Sequence, residues 1–178
     1  MKQPIQFTTH LTGYLLRSVT ESDLPALQRL LEKCADFTRL VEGTEVAPDE
    51  AEHTFRDGPP GKPLENKFIY GLFDSQAIPA AVLEGSRDYP EESTWWIGLL
   101  LLDPEVRGKG IGRVLVEDFI QYAASLGASA VMLGVVEENT AGLAFWQRLG
   151  FSIDHKTEPR LFGKKMQAVW VMHREISG

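Results

Sequence analysis

At 178 residues, 43% hydrophobic and 24% charged, the chain has ordinary globular composition and the length of one domain, expected to span residues 1–178. A formal charge of −7 with a pI near 5.1 argues against a coat for nucleic acid or for an anionic membrane, both of which need a basic face, and favours a cationic small-molecule partner. The single cysteine, Cys34, excludes an intramolecular disulfide and a multi-cysteine zinc site, residues 1–7 hold no signal-peptide core, and no stretch reaches the ~20 apolar residues of a membrane span, so a cytoplasmic protein is expected.

Residues 14–19 read as a short strand. Ser22 or Asp23 then caps a helix to about Lys33, with Leu24, Leu27, Leu30 and Leu31 on one stripe and Pro25 in the first turn. Weaker helical stretches are expected at 36–41 and 48–56, and glycine and proline punctuate 57–63 too densely for anything but a loop. Residues 67–73 and 78–84 read as strands of one hairpin, with Pro79 marking an edge or bulge. The run TWWIGLLLL, residues 94–102, is nearly all apolar without a helical stripe, the pattern of a strand buried on both faces, and Gly98 within it hints at a bulge. Ile111, Leu115, Phe119, Tyr122 and Leu126 have helical spacing, and Gly127 ends that helix. Residues 130–136 form the next buried strand, Asn139 caps a short helix closed by Gly150, and two strands near 151–155 and 167–174 complete the chain.

The junction between the apolar strand and the long helix reads Arg107-Gly108-Lys109-Gly110-Ile111-Gly112. A helix start leaves N–H groups unsatisfied at the positive end of its dipole, and glycines let a phosphate approach the backbone there. Arg107 and Lys109 supply counter-charge. The P-loop pattern fails because Gly108-Lys109 is followed by Gly110 rather than Ser or Thr; the dinucleotide fingerprint fails because its third glycine falls one residue early.

What remains is R-x-x-G-x-G, and with it the sequence resembles the GNAT superfamily of acyl-CoA-dependent N-acetyltransferases. Residues 102–112 look like that family's pyrophosphate loop, and residues 139–151, NTAGLAFWQRLGF, look like its second signature. The resemblance implies an α/β fold: a mixed, mostly antiparallel sheet of six to seven strands flanked by helices, splayed where the cofactor's arm inserts. It implies acetyl-CoA held by backbone N–H groups from Arg107 through Gly108, Lys109, Gly110 and Ile111 to Gly112. Leu100, Leu101 and Leu102 would run beside the pantetheine arm, with contributions from Asn139 and Trp146.

Family members often carry a glutamate base on the strand at 94–102, where this chain has Trp96, and a tyrosine proton donor where it has Trp146. Glu84 on the neighbouring strand is the favoured base, ahead of Glu137, Glu138 and Glu92. Indole is too weak an acid to replace the tyrosine, so Trp146 is expected to pack against the arm or in the core. Tyr89 and Trp96, beside Asp88, Glu91 and Glu92, are candidates for holding a small primary amine, cationic ones included. The histidines have no metal spacing and no metal is expected. The expected reaction is direct acetyl transfer to the amine in a ternary complex; the alternative is a catalytically silent acyl-CoA-binding or sensor domain. A homodimer is left open.

Overall fold

The structure, a computed structural model, describes residues 7–176; residues 1–6, most of the stretch read as lacking a signal-peptide core, lie outside them. β1 (Leu15–Ser18) leads through a 3-10 turn (Glu21–Asp23) into α1 (Leu24–Lys33), then α2 (Ala35–Glu42) and α3 (Glu50–Arg56). Of the two predicted caps, Ser22 and Asp23, it is Asp23 that stands at the N-cap position of α1, and its carboxylate turns back into a capping box on Thr20. The Asp23 carboxylate accepts from the Thr20 N–H and hydroxyl, both at 2.8 Å, and the Arg17 guanidinium, ahead of these, holds its pKa down to about 2.

Next come β2 (Lys67–Phe73), β3 (Pro79–Ser86), β4 (Thr94–Leu102), α4 (Ile111–Ser125), β5 (Ala130–Val136) and α5 (Thr140–Arg148). The chain ends with β6 (Ser152–Lys156), a small hairpin of β7 (Arg160–Phe162) and β8 (Lys165–Gln167), and β9 (Val169–Glu175). The main sheet has seven strands in the order β1-β2-β3-β4-β5-β9-β6, antiparallel except for β4 and β5. This is the fold expected from the resemblance. The strip β7–β8 was not expected: three-residue strands around Pro159 and Gly163 carry no readable alternation.

Alternate residues of the strands feed two cores on opposite faces of the sheet. One gathers Leu83, Trp95, Ile97 and Leu133 against Leu115, Val116 and Phe119 of α4. The other gathers Ile69, Val82 and Leu101 against Leu27, Leu30 and Leu31 of α1. Each such side chain contributes about 1.5–3 kcal/mol by leaving water.

The hairpin β7–β8 is tied to the C-terminal end of α2. Gln167, fully buried, donates its amide N–H groups to the carbonyls of Leu40 (3.0 Å) and Val41 (2.7 Å), and the Lys164 N–H donates to Glu42 (2.7 Å). Carbonyls that the helix itself leaves unpaired are satisfied this way.

Two features of β4 shape the middle of the sheet. Glu84 of β3 pairs with Leu99 and Gly85 with Ile97, so Gly98 is the extra residue of a bulge, as its place in the sequence suggested. β4 also runs parallel to β5 for only four pairs, Thr94↔Ala130 to Ile97↔Leu133, after which β4 stays with β3 and β5 with β9. The sheet opens beyond that point.

Gly85 makes the bulge possible, because a Cβ there would overlap the Trp96 carbonyl oxygen and crowd the Phe68 ring. Gly85→Ala is expected to lower unfolding stability by about 1–3 kcal/mol, read as a lower urea midpoint at unchanged slope. A midpoint equal to the parent's would mean that the bulge shifts freely.

Candidate active site

Between β4 and α4 the chain makes a 3-10 turn, Pro104–Val106, and then enters the glycine loop. Gly108 (φ +73°) and Gly110 (φ +80°) both adopt left-handed conformations, and a Cβ on either would meet open space. The first bond of the helix proper runs from the Val114 N–H to the Gly110 carbonyl at 3.2 Å, so the N–H groups of Ile111, Gly112 and Arg113 lack helical acceptors. Gly112 is buried against Leu102 and Phe145, each about 3.4 Å from where its Cβ would stand. The loop is thus an open cradle of donors at the positive end of a 15-residue helix.

The side chain of Arg107 is engaged elsewhere. Its Nη1 and Nη2 donate to Asp36 of α2 at 2.7 and 3.2 Å, and its Nε donates to the Leu102 carbonyl at 3.0 Å. Those hydrogen bonds hold the Asp36 carboxyl below its usual range. Cations nearer the cradle are Lys109, which is exposed, Arg113 in the first turn of α4, and Arg148 at the end of α5. Arg113 borders two hollows: one of about 360 Å³ that also reaches Gly110, Glu117 and His10, and one of about 430 Å³ against Phe145, Arg148 and Leu149. Neither arginine stood out in the sequence, because each reads as a solvated charge on a helix.

Above the four parallel pairs, β4 lines the gap in the sheet. The Asp103 N–H bonds back to Ala80 at 2.8 Å, so by strand alternation the N–H and C=O groups of Leu100 and Leu102 face the gap, while Leu101 faces β3 and buries its side chain. The Leu102 carbonyl already accepts from Arg107 and from the Cys34 thiol at 3.2 Å. Leu100 therefore keeps both its N–H and its C=O for a peptide-like chain laid in the gap, with no partner for either among the described residues, whereas Leu102 keeps only its N–H. Cys34 itself is fully buried, and burial pushes its thiol pKa up, as for a small core side chain.

Glu84, Lys67 and Trp96 share one face of the sheet, since Lys67 pairs with Ser86 and Ser86 with Trp96. The Glu84 carboxylate accepts from Lys67 Nζ at 2.6 Å, and its Oε2 would lie 2.6 Å from a Cβ on Gly98. Burial pushes the Glu84 pKa up, against the pull of Lys67. Trp95 points into the core, whereas Trp96 is half-buried on the Glu84 face, edge-on to Tyr89 with ring centroids 5.6 Å apart. The rival acids are otherwise placed. Glu137 accepts from the Ala168 N–H at 3.0 Å and pairs with Lys156 at 2.8 Å, contacts that hold its pKa down. Glu138 pairs with Lys165 at 2.6 Å, and Glu92 is exposed in the loop before β4.

Asn139 accepts from the Gly142 N–H at 2.9 Å and so caps α5. Trp146 lies in the main core, edge-to-face with Phe145 and Phe151. Phe145 is the aromatic residue of this helix that meets the loop, at Gly112. Trp146→Phe is accordingly expected to cost roughly 1–3 kcal/mol of stability and less than ~10-fold in kcat. A loss of ~100-fold at unchanged stability would give the indole a part in the chemistry.

Comparison with known proteins agrees with this fold. The model of the acetyltransferase (GNAT) family matches residues 24–151, well over half of the chain. Among curated proteins, a peptidyl-lysine N-acetyltransferase of Salmonella typhimurium is 37% identical over 65 residues, covering 36% of this chain and 41% of that protein. The matched stretch thus spans less than half of that relative's length. Among solved structures, an acetyl transferase of Salmonella typhimurium that modifies the N-terminal serine of a 50S ribosomal subunit protein superposes with a TM-score of 0.77 at 20% identity, covering 94% of this chain and 97% of that one. A spermidine N-acetyltransferase of Vibrio cholerae, in complex with CoA and spermine, superposes with a TM-score of 0.70 at 19% identity, covering 93% and 96%.

Proposed function

The chain belongs to the GNAT family of acetyltransferases, and from that premise we propose that it transfers an acetyl group from acetyl-CoA to the primary amine of a small molecule, directly, in a ternary complex. The observation that carries the proposal is the cradle of unpaired N–H groups from Gly108 to Arg113, opening beside the gap between β4 and β5. Its donors suit a pyrophosphate, and the gap suits an extended, peptide-like arm.

Acetyl-CoA supplies the activated acetyl group as a thioester. The chain's own groups do the rest. Lys109 and Arg113 supply positive charge at the cradle, with the Arg107 side chain fixing the loop against α2 through Asp36. Leu100 offers a backbone N–H toward the gap, where negative charge develops on the acyl oxygen. Glu84 takes the proton from the incoming ammonium, directly or through one water, because alkylamines are mostly protonated near neutral pH. Trp96 and Tyr89 offer ring faces to the acceptor on the same side of the sheet as Glu84. No side-chain acid is needed, since a thiol with a pKa near ~8.5 leaves as the thiolate.

The relatives named for peptidyl-lysine and spermidine have acceptors with primary amines, which supports a primary amine as the acceptor group. The acidic total charge, −7, favours a cationic acceptor. The buried single thiol of Cys34 suits the reducing interior of a cell, so the proposal places the protein in the cytoplasm and treats residues 1–178 as one transferase domain.

The test is coenzyme A release from acetyl-CoA, followed with a thiol reagent, against a panel of primary amines that includes diamines, polyamines and lysine derivatives. The expected result is release that depends on at least one amine and yields its N-acetyl product. Binding of acetyl-CoA without amine-dependent release across the panel would favour the acyl-CoA-binding alternative.

A further inference from the structure

We propose that Lys67 is a positioning residue for the reaction: its ammonium holds one carboxylate oxygen of Glu84 so that the other is presented over the bulge at Gly98. The inference rests on the reading of Glu84 as the base. Two independent contacts fix this carboxylate, one from each neighbouring strand. From β2, Lys67 Nζ donates to Oε1 at 2.6 Å. From β4, Gly98 leaves room for Oε2, which would stand only 2.6 Å from any Cβ at that position.

The register explains the reach. Ile69 is directly opposite Glu84 and Lys67 directly opposite Ser86, so Lys67 is the diagonal neighbour of Glu84 on the same face, a span that a long side chain bridges. The Lys67 side chain is 7% exposed and that of Glu84 17%. A lysine this buried is rare without a partner, and burying it beside a carboxylate costs desolvation on both sides, so the pair is weak evidence for stability alone. Its geometric result is specific: Oε1 is occupied, while Oε2 has no hydrogen-bond partner among the described residues and faces the strand that lines the gap.

Among the described residues, Lys67 is the one charged group acting on Glu84, and Thr94–Leu102 of β4 carries no ionisable side chain. Removing the ammonium leaves burial unopposed, so the carboxyl keeps its proton to higher pH, and it also frees the carboxylate to rotate.

The test uses Lys67→Met, Lys67→Arg and the double variant Glu84→Gln/Lys67→Met, each checked for folding and for acetyl-CoA affinity by calorimetry. Amine-dependent coenzyme A release is then followed from about pH 5 to pH 10. Lys67→Met is expected to move the ascending limb of kcat/KM up by about one pH unit or more and to lower kcat at the plateau by ~10-fold, with acetyl-CoA affinity unchanged. Lys67→Arg, which keeps the charge, should leave the limb at its parental position. In the Glu84→Gln background, Lys67→Met should cost nothing further.

A Lys67→Met limb at the parental pH would overturn the inference, as would a double variant slower than Glu84→Gln by the full single-variant factor. Should Lys67→Met fail to fold, Lys67→Arg decides, because a limb displaced upward despite the retained charge also overturns it. Parental activity in Glu84→Gln would instead remove the base itself, which separates that failure from this one.

Discussion

Glu84→Gln is expected to lower kcat/KM for amine acetylation by about 100-fold or more near neutral pH, with acetyl-CoA affinity unchanged. Glutamine keeps the shape of the side chain over Gly98 but cannot take a proton from an ammonium. The pH dependence has a definite sign. As the proposed base Glu84 would work ionised, and burial raises its pKa, so the parent's ascending limb is expected above the ordinary value for a glutamate. As pH climbs toward the pKa of the amine, the acceptor arrives already neutral and the variant recovers toward the parent. Parental kcat/KM in the variant at every pH would leave proton removal to water. Glu137 is a poor substitute, because the Ala168 N–H and Lys156 engage its two oxygens and lower its pKa, which makes it a weaker base.

Gly110→Asp is expected to weaken acetyl-CoA binding by about 100-fold or more, a loss near 2.7 kcal/mol, while the protein stays folded. Space is not the reason, since a Cβ at Gly110 meets nothing within 4 Å. Gly110 is the N-cap of α4, and aspartate is a strong N-cap whose carboxylate accepts from the first free N–H groups of the helix. The variant therefore fills the cradle with its own anion and repels a second one. Aspartate also tolerates the left-handed backbone of this position better than most residues. Calorimetry with acetyl-CoA reads the loss, and a thermal melt shows that the fold remains. Parental affinity in a folded Gly110→Asp protein would move the pyrophosphate elsewhere.

The parts legible in the sequence were those written in local patterns. TWWIGLLLL gave β4 with both ends correct, Gly98 its bulge, and the glycines of the loop the start of α4, because apolar runs and glycine conformations act over a few residues. Distant pairings were not legible. Arg107 reads as a phosphate cation until the fold brings Asp36, 71 residues away in sequence, to its guanidinium. Lys67 reads as a solvated charge at the start of a strand until the register sets it diagonal to Glu84. For Trp146 the signature left two places, beside the cofactor's arm or in the core, and helix phase decides for the core and presents Phe145 to the loop. Between the two candidate caps, Asp23 rather than Ser22 stands at the N-cap position of α1, its carboxylate bound to Thr20 and Arg17 together, a choice among adjacent polar residues that composition does not decide.

The hairpin at α2 has a consequence for the order in which the molecule is made. The carbonyls of Leu40 and Val41 find their donors on Gln167, 127 and 126 residues later in the chain. On a ribosome that emits about 5–20 residues each second, that interval lasts several seconds at least. Throughout it, the end of α2 faces water with its carbonyls unclaimed. The helix that holds Arg107 thus acquires its last bonds only once residue 167 has emerged, and truncation before it is expected to leave an N-terminal portion whose α2 frays from its C-terminal end.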